Sequence, residues 1–284
     1  MLTRILTGVI LIPLVIALVW WGPPVLLAAV AAAIALVALF EFFNLGERMG
    51  MRAFRYWTMA CAAGIFYAQY AAGLVETHSF LGGSITKDFA GIAISVEAVL
   101  LIFVLGTAAI GIGTRRPLHE VFPAIAVGSA GLLFVTLPFS YLVRINEIDR
   151  NGRKLVLFTL SLMWAGDTLA YFAGKSFGRV PMAPQLSPKK TWEGAFANMV
   201  GSLLVGVGFA RWMQVDATNL LLIAALGNIA GQMGDLIQSA YKRGAAVKDS
   251  GSLLPGHGGV LDRIDSLILA SPVVWAAWQW FASR

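Results

Sequence analysis

The chain has 284 residues, of which 58% are hydrophobic and only 13% charged. Soluble domains carry about 25% charged residues, so this composition, with a mean hydropathy of +0.76, excludes an ordinary soluble globule and describes an integral membrane protein. The net charge of +6 speaks for basic loops beside anionic lipid rather than for nucleic acid, and the single Cys61 excludes an intrachain disulfide.

Crossing a bilayer takes about 20 apolar residues. Such runs fall at residues 5–21, 24–44, 54–74, 89–112, 119–142, 154–174, 194–213, 218–240 and 261–281. They predict an all-α polytopic membrane protein with about nine transmembrane helices. The first run lacks a small-residue cleavage site and continues through Trp20-Trp21-Gly22-Pro23-Pro24 into the second. It therefore reads as a membrane helix and not as a signal peptide, with a tight turn at Gly-Pro-Pro. Glu41 and Glu97 are acids inside apolar runs, for which a structural hydrogen bond is the default expectation. No internal repeat is visible, and the longest polar connection is about 20 residues, near 241–260. The expectation is one membrane-embedded domain over 1–284, with 1–150 as a helical scaffold and 151–284 bearing the polar motifs.

Alternating spans divide the 21 basic residues 14 to 7 between the two faces. The positive-inside rule puts the richer face, with Arg48, Arg52, Arg55, Lys189, Lys190, Lys242 and Arg243, in the cytoplasm. Trp20, Trp21, Trp212, Trp278 and Trp280 then fall near the outer interface as an aromatic belt. The connection 144–154 resists this scheme: it places Arg144, Arg150, Arg153 and Lys154 outside, which points to a miscounted helix before it.

Three polar segments follow in the second half. Within Trp164–Arg179 (WAGDTLAYFAGKSFGR), Asp167 lies well inside a span and shares a helix face with Tyr171. An intramembrane carboxylate needs a partner, and a Lys or Arg from the polar loops is the natural one. Ser187–Gly194 (SPKKTWEG) sets Lys189 and Lys190 beside a Ser-Pro turn, where they serve either as phosphate ligands or as a positive-inside anchor.

The third segment, 235–265, is the densest. Asp235 and Ser239 are four apart, and Asp262, Asp265 and Ser266 have i, i+3, i+4 spacing, so each set shares a helix face. The connecting loop returns to the same membrane surface, so the two helix ends can meet. Carboxylates converging there need a cation between them, and hard oxygen donors completed by water and phosphate suit Mg²⁺. Structural ion pairs with Arg243 and Arg263 are the alternative. Lys242, Arg243, Lys248 and Arg263 call for an anion, and Arg and Lys both suit phosphate. The Gly256-His257-Gly258-Gly259 turn lets backbone amides approach a phosphate and leads into a helix N-terminus, an anion site in its own right. His257 is either a ligand or a helix cap.

Ser239-Ala-Tyr-Lys-Arg, four residues, Lys248-Asp249, Gly251, Leu254-Pro255 and His257-Gly-Gly-Val-Leu-Asp262-Arg-Ile-Asp265 together resemble the signature of the phosphatidate cytidylyltransferases (CDP-diacylglycerol synthases). SPKKTWEG and GDTLAYFAGKSFGR resemble that family's other characteristic stretches, in the same order. The resemblance covers most of residues 160–284, and the N-terminal half matches only as hydrophobic helices. It implies an enzyme that transfers CMP from CTP to phosphatidate at the cytoplasmic face of the inner membrane, releasing pyrophosphate, for phospholipid biosynthesis. It implies Mg²⁺ held by Asp235 and Asp262, with Asp249 or Asp265 assisting, and a second, monovalent cation, K⁺. It also implies catalytic roles for Asp235, Asp262, Lys242, Lys248 and Arg263, and substrate contacts from Lys189, Lys190, Ser239, Arg243, His257, Gly258 and Gly259. The partners are CTP, phosphatidate and membrane lipids, with no nucleic acid. Membrane enzymes of this kind are often dimers, so a homodimer is the expected assembly, although no interface is visible in the sequence.

Two rivals are distinguishable. A CTP-dependent lipid-alcohol kinase would release CDP and not pyrophosphate. A secondary transporter would show paired broken helices in two related halves, whereas these polar motifs crowd into one end of the chain.

Overall fold

The computed structural model describes residues 2–80, 94–148, 150–253 and 258–281. In chain order these form α1 (Leu2–Trp21), α2 (Pro24–Arg48), α3 (Arg55–Phe80), α4 (Val96–Gly113), α5 (Leu118–Gly131), a π-helical turn (Leu132–Thr136), α6 (Leu137–Asn146), α7 (Gly152–Phe177), β1 (Pro181–Ala183), β2 (Ser187–Thr191), α8 (Trp192–Met213), α9 (Ala217–Gly244) and α10 (Leu261–Phe281). The protein is thus an all-α polytopic membrane protein. Each predicted apolar run carries helix, apart from the start of run 89–112, which lies outside the described residues. Among the described residues, six helical segments are by themselves long and apolar enough to cross a membrane: α2, α4, α5 through α6, α7, α8 and α9.

Local chemistry explains the boundaries. Pro24 opens α2 at a position that needs no amide donor. Ser95 caps α4 by accepting from the Ala98 amide at 3.2 Å, Thr191 caps α8 by accepting from Gly194 at 3.2 Å, and Asp216 caps α9 by accepting from Asn219 at 2.8 Å. Pro138 removes one amide donor just after the π turn, and the helical ladder passes from α5 to α6 through that wider turn.

One expectation is corrected in detail. SPKKT is a strand and not a plain turn: β2 pairs antiparallel with β1, with Pro181 opposite Thr191 and Ala183 opposite Ser187. A two-stranded hairpin is marginal alone. Here it is held where β2 runs directly into the Thr191 cap, and where the Trp192 amide donates to the Val180 carbonyl at 3.0 Å.

The helices sort into two ends. At one end, Arg55 reaches Asn44 at 2.8 Å and Glu47 at 3.1 Å, Arg116 reaches the Arg52 carbonyl at 2.7 Å, and Phe42 meets Tyr241 edge-on at 5.4 Å. At the other, Trp20 stacks on Trp212 and Asn219 donates to the Phe281 carbonyl. The basic connection that resisted the orientation scheme sits at this second end, and its charges have local work there. Arg153 donates to the Trp20 carbonyl at 2.9 Å, Lys154 lies over the Trp212 ring, and Arg144 lies over Trp275. A continuous helical column from Leu118 to Asn146 precedes them. Cations at helix C-termini are favourable. Arg153→Ala is accordingly expected to cost about 0.3–1 kcal/mol, seen as a small drop in the melting midpoint in detergent.

The most extensive helix pairings are α7 with α8 and α9 with α10. Small residues allow the close approach that membrane helices rely on. A Cβ on Gly231 would meet the Met163 sulfur, and one on Gly234 would meet the Asp265 carbonyl. This four-helix unit brings the polar segments of the second half to one end, beside α2.

Candidate active site

At the end of the bundle where α2 finishes, α7, the hairpin, α8, α9 and α10 enclose a cavity of about 220 Å³. Asp167, Lys189, Lys190, Asn198, Asn228, Gln232 and Asp235 line it, with Met163 and Tyr171 as apolar wall. Lys190 on β2 makes an ion pair with Asp235 on α9. The charge of Asp235 is also felt at Asp167 and at Asp265, so three carboxylates from α7, α9 and α10 share one electrostatic neighbourhood. The SPKK segment thus supplies a basic partner to Asp235, whereas Asp167, for which a Lys or Arg was expected, takes the Asn198 amide.

The cavity floor is a buried amide network. Asn198 donates to Asp167 at 3.2 Å. Asn228, 1% exposed, donates to the Asn198 side chain and to Ser202, and Gln232 donates to Asn228 at 2.6 Å. Ser202 in turn donates to the Leu162 carbonyl at 3.2 Å. Linked this way, the buried amides make a rigid floor. Sequence reasoning missed Asn198, Asn228 and Gln232. The signal was available: Asn228, Gln232 and Asp235 stand at i, i+4 and i+7 and share one face of an apolar helix.

Asp262 belongs to a second cluster and is not among the residues lining the cavity. Its Oδ1 takes Lys242 Nζ at 2.7 Å, and these side chains are only 6% and 11% exposed. Its Oδ2 accepts from the Ser250 amide at 2.9 Å, the Gly259 amide at 3.0 Å and the Ser250 hydroxyl at 3.0 Å. Beside it, Glu41 from α2 accepts from the Ser250 hydroxyl at 2.8 Å, the Val260 amide at 3.0 Å and the Leu261 amide at 2.9 Å. This changes the expectation for the start of α10. Of the amides predicted to meet a phosphate there, those of Gly259, Val260 and Leu261 donate to two of the protein's own carboxylates, because a helix N-terminus attracts whichever anion the fold brings first. Gly259 has a matching reason in packing: a Cβ there would collide with the Ser250 hydroxyl and the Glu41 carboxylate. Gly258 adopts a positive φ of 78° and lies against Asp262 and Asp249.

The remaining predicted residues are placed as follows. Arg243 donates to the Leu186 carbonyl at 3.1 Å and the Val247 carbonyl at 3.0 Å, tying the hairpin to the end of α9. Lys189, Lys248, Asp249 and Arg263 are exposed. Ser239 is buried, and Asp265 accepts from the Ser266 amide at 2.8 Å. His257 lies outside the described residues. The structure therefore gathers Asp235, Lys189 and Lys190 with Asp167 at the cavity. It gathers Lys242, Asp262 and Gly259 with Ser250 and Glu41 at the adjoining loop.

The donor chemistry at the cavity fits Mg²⁺, which is bound by one or two carboxylates with water and substrate phosphates and not by a full protein cage. Asp167 and Asp235 supply hard oxygens there, with Asp265 in electrostatic reach. No ready-made set of three or more ligands stands among the described residues. The carboxylate of Asp262 is poorly suited, since four protein donors already share its two oxygens.

A polytopic helical membrane protein with an acid- and lysine-lined cavity at one end of its bundle is the class this arrangement defines. The model of the Cytidylyltransferase family matches residues 2–281, and the chain belongs to that family. It is 36% identical over 156 residues to a phosphatidate cytidylyltransferase of Bacillus subtilis, covering 54% of this chain and 58% of that one. It is 31% identical over 189 residues to a phosphatidate cytidylyltransferase of Rickettsia prowazekii, covering 63% and 82%. Against a phosphatidate cytidylyltransferase of Pseudomonas aeruginosa the identity is 40% over 156 residues, covering 54% and 56%. The aligned part thus spans little more than half the length of the first and third of these relatives.

Proposed function

We propose that this protein transfers CMP from CTP to phosphatidate, producing CDP-diacylglycerol and pyrophosphate, with its site facing the cytoplasm. The observation that carries the reading is the cavity at the membrane-edge end of α7–α10, where Asp167 and Asp235 face Lys189 and Lys190. Family membership and the names of the relatives support the reaction class. The excess of basic residues on the same end supports the orientation.

In this reaction a phosphate oxygen of phosphatidate bonds to the α-phosphorus of CTP as the bond to the β-phosphate oxygen breaks, and pyrophosphate leaves with that electron pair. The attacking phosphate monoester is already largely ionised near pH 7 (second pKa about 6), so the chain need not supply a general base. Its work is positioning and neutralisation of charge. Lys189 and Lys190 on the hairpin would meet substrate phosphates, and Lys248 and Arg263, exposed at the same end, would add positive charge at the mouth. Arg243 holds the hairpin in place through the Leu186 carbonyl. Asp235, with Asp167 and Asp265, would hold Mg²⁺, which when bound offsets phosphate charge. Asp262 keeps Lys242 and the loop in position. A lipid substrate reaches such a site from the bilayer and a nucleotide from the aqueous side, which suits its depth.

The test is the purified protein in detergent with CTP, phosphatidate and Mg²⁺. The expected products are pyrophosphate and lipid-linked CMP, both lost on adding EDTA. Release of CDP would assign the chain to lipid-alcohol kinase chemistry, and absence of both products would defeat the reading. Replacing K⁺ by a bulky organic cation in the same assay tests the expected monovalent-cation requirement. Mass measurement in detergent tests the expected homodimer.

A further inference from the structure

The mechanism above leaves one deeply buried acid without a part. Glu41, on α2, is 5% exposed and lies 209 positions from its partner Ser250. Its carboxylate accepts from both limbs of the loop between α9 and α10: Ser250 on the descending limb, Val260 and Leu261 on the ascending one. The loop is shaped to admit it, since a Cβ on Gly251 or on Gly259 would run into the Glu41 carboxylate. The neighbouring Phe42 is keyed edge-on to Tyr241, one residue before Lys242.

The Ser250 hydroxyl lies within hydrogen-bond distance of both Glu41 and Asp262, yet it has one proton to donate. The two acids therefore share it, and a continuous chain runs from Glu41 through Ser250 and Asp262 to Lys242. We infer that Glu41 is a positioning residue for the proposed reaction. It staples the two limbs of the loop to α2 and so sets where Lys242, Lys248 and Asp249 stand relative to the cavity. This rests on the functional reading above, and it gives the N-terminal scaffold a direct part in the site.

A carboxylate suits this place because all its neighbours are donors. In Glu41→Gln an amide NH₂ must face one of those N–H or O–H groups, so at least one tie is lost and turned repulsive. A residue that merely filled space would tolerate that exchange.

The test uses full-length wild type, Glu41→Gln, Glu41→Asp and Ser250→Ala in the same detergent. Trypsin cleavage after Lys248 is expected to run about tenfold faster in Glu41→Gln than in wild type, from loss of a charge-assisted hydrogen bond, with the melting midpoint nearly unchanged. KM for CTP is expected to rise by a similar factor with kcat less affected, and Glu41→Asp to fall between. Wild-type cleavage and wild-type KM in Glu41→Gln would overturn the inference. Should Glu41→Gln fail to fold, Ser250→Ala removes only the shared hydroxyl, and cleavage at the wild-type rate there would overturn it equally. A wild-type protein that forms no pyrophosphate would defeat the functional reading while leaving the cleavage comparison intact.

Discussion

Asp235→Asn is expected to lower CTP-dependent pyrophosphate release by about 10²–10³-fold while the protein still inserts and melts normally. The amide matches the carboxylate in size but carries no charge. It can neither balance Lys190, its partner across the cavity, nor offer a hard anionic oxygen to Mg²⁺. Fold should survive because Asp235 is about one-third exposed and its pair with Lys190 spans an open cavity, a setting in which ion pairs contribute little to stability. The measurement is kcat with saturating CTP and phosphatidate, beside helical content and the melting midpoint. Activity within a few-fold of wild type would remove Asp235 from the site.

Asp262→Ala is expected to act through stability first. Lys242 would be left as a buried ammonium without its counter-charge, and the Ser250 and Gly259 donors would lose their acceptor. Breaking a buried pair from one side costs about 3–5 kcal/mol, which should appear as a large fall in the unfolding midpoint and a poor yield of folded protein. The paired replacement Lys242→Met with Asp262→Leu should recover the part lost through the uncompensated ammonium, though not the part from the Ser250 and Gly259 donors, and should not recover turnover, since the loop would have lost its charges. If Asp262→Ala instead melts like wild type and loses only activity, Asp262 is a ligand for substrate or metal and not the centre of a structural cluster. The two acids, 27 positions apart in one motif, are thus expected to fail in different ways.

Much of this architecture was legible. Apolar runs of bilayer length marked the helices, because a membrane leaves a spanning backbone few other ways to satisfy its polar groups. The spacing of Asp235 with Ser239, and of Asp262 with Asp265, placed the acids on particular helix faces. Lys189 and Lys190 were readable either as phosphate ligands or as a positive-inside anchor, and the fold sets them at the cavity, with Lys190 against Asp235. Asn228 and Gln232 of the floor were equally visible as polar residues on one face of α9, whereas Asn198 stands on α8.

Other features were not legible, and for a physical reason. The sequence by itself determined that this is a multi-helix membrane protein, that its polar motifs lie within residues 160–284, and that acids and bases there are numerous enough to handle phosphate. It could not decide which acid meets which base. Spacing along a helix assigns a face, but pairing depends on what another helix brings to that face. The tertiary structure sent Lys190 to Asp235 and Lys242 to Asp262. It also brought Glu41, from a helix near the other end of the chain, onto the amides at the start of α10 where a phosphate was expected. The described part of residues 235–265 therefore divides into an open part facing the cavity and a closed part satisfied from within. That division arises because each buried donor must find an acceptor, and the nearest acceptor in space lay some 200 positions away in the chain.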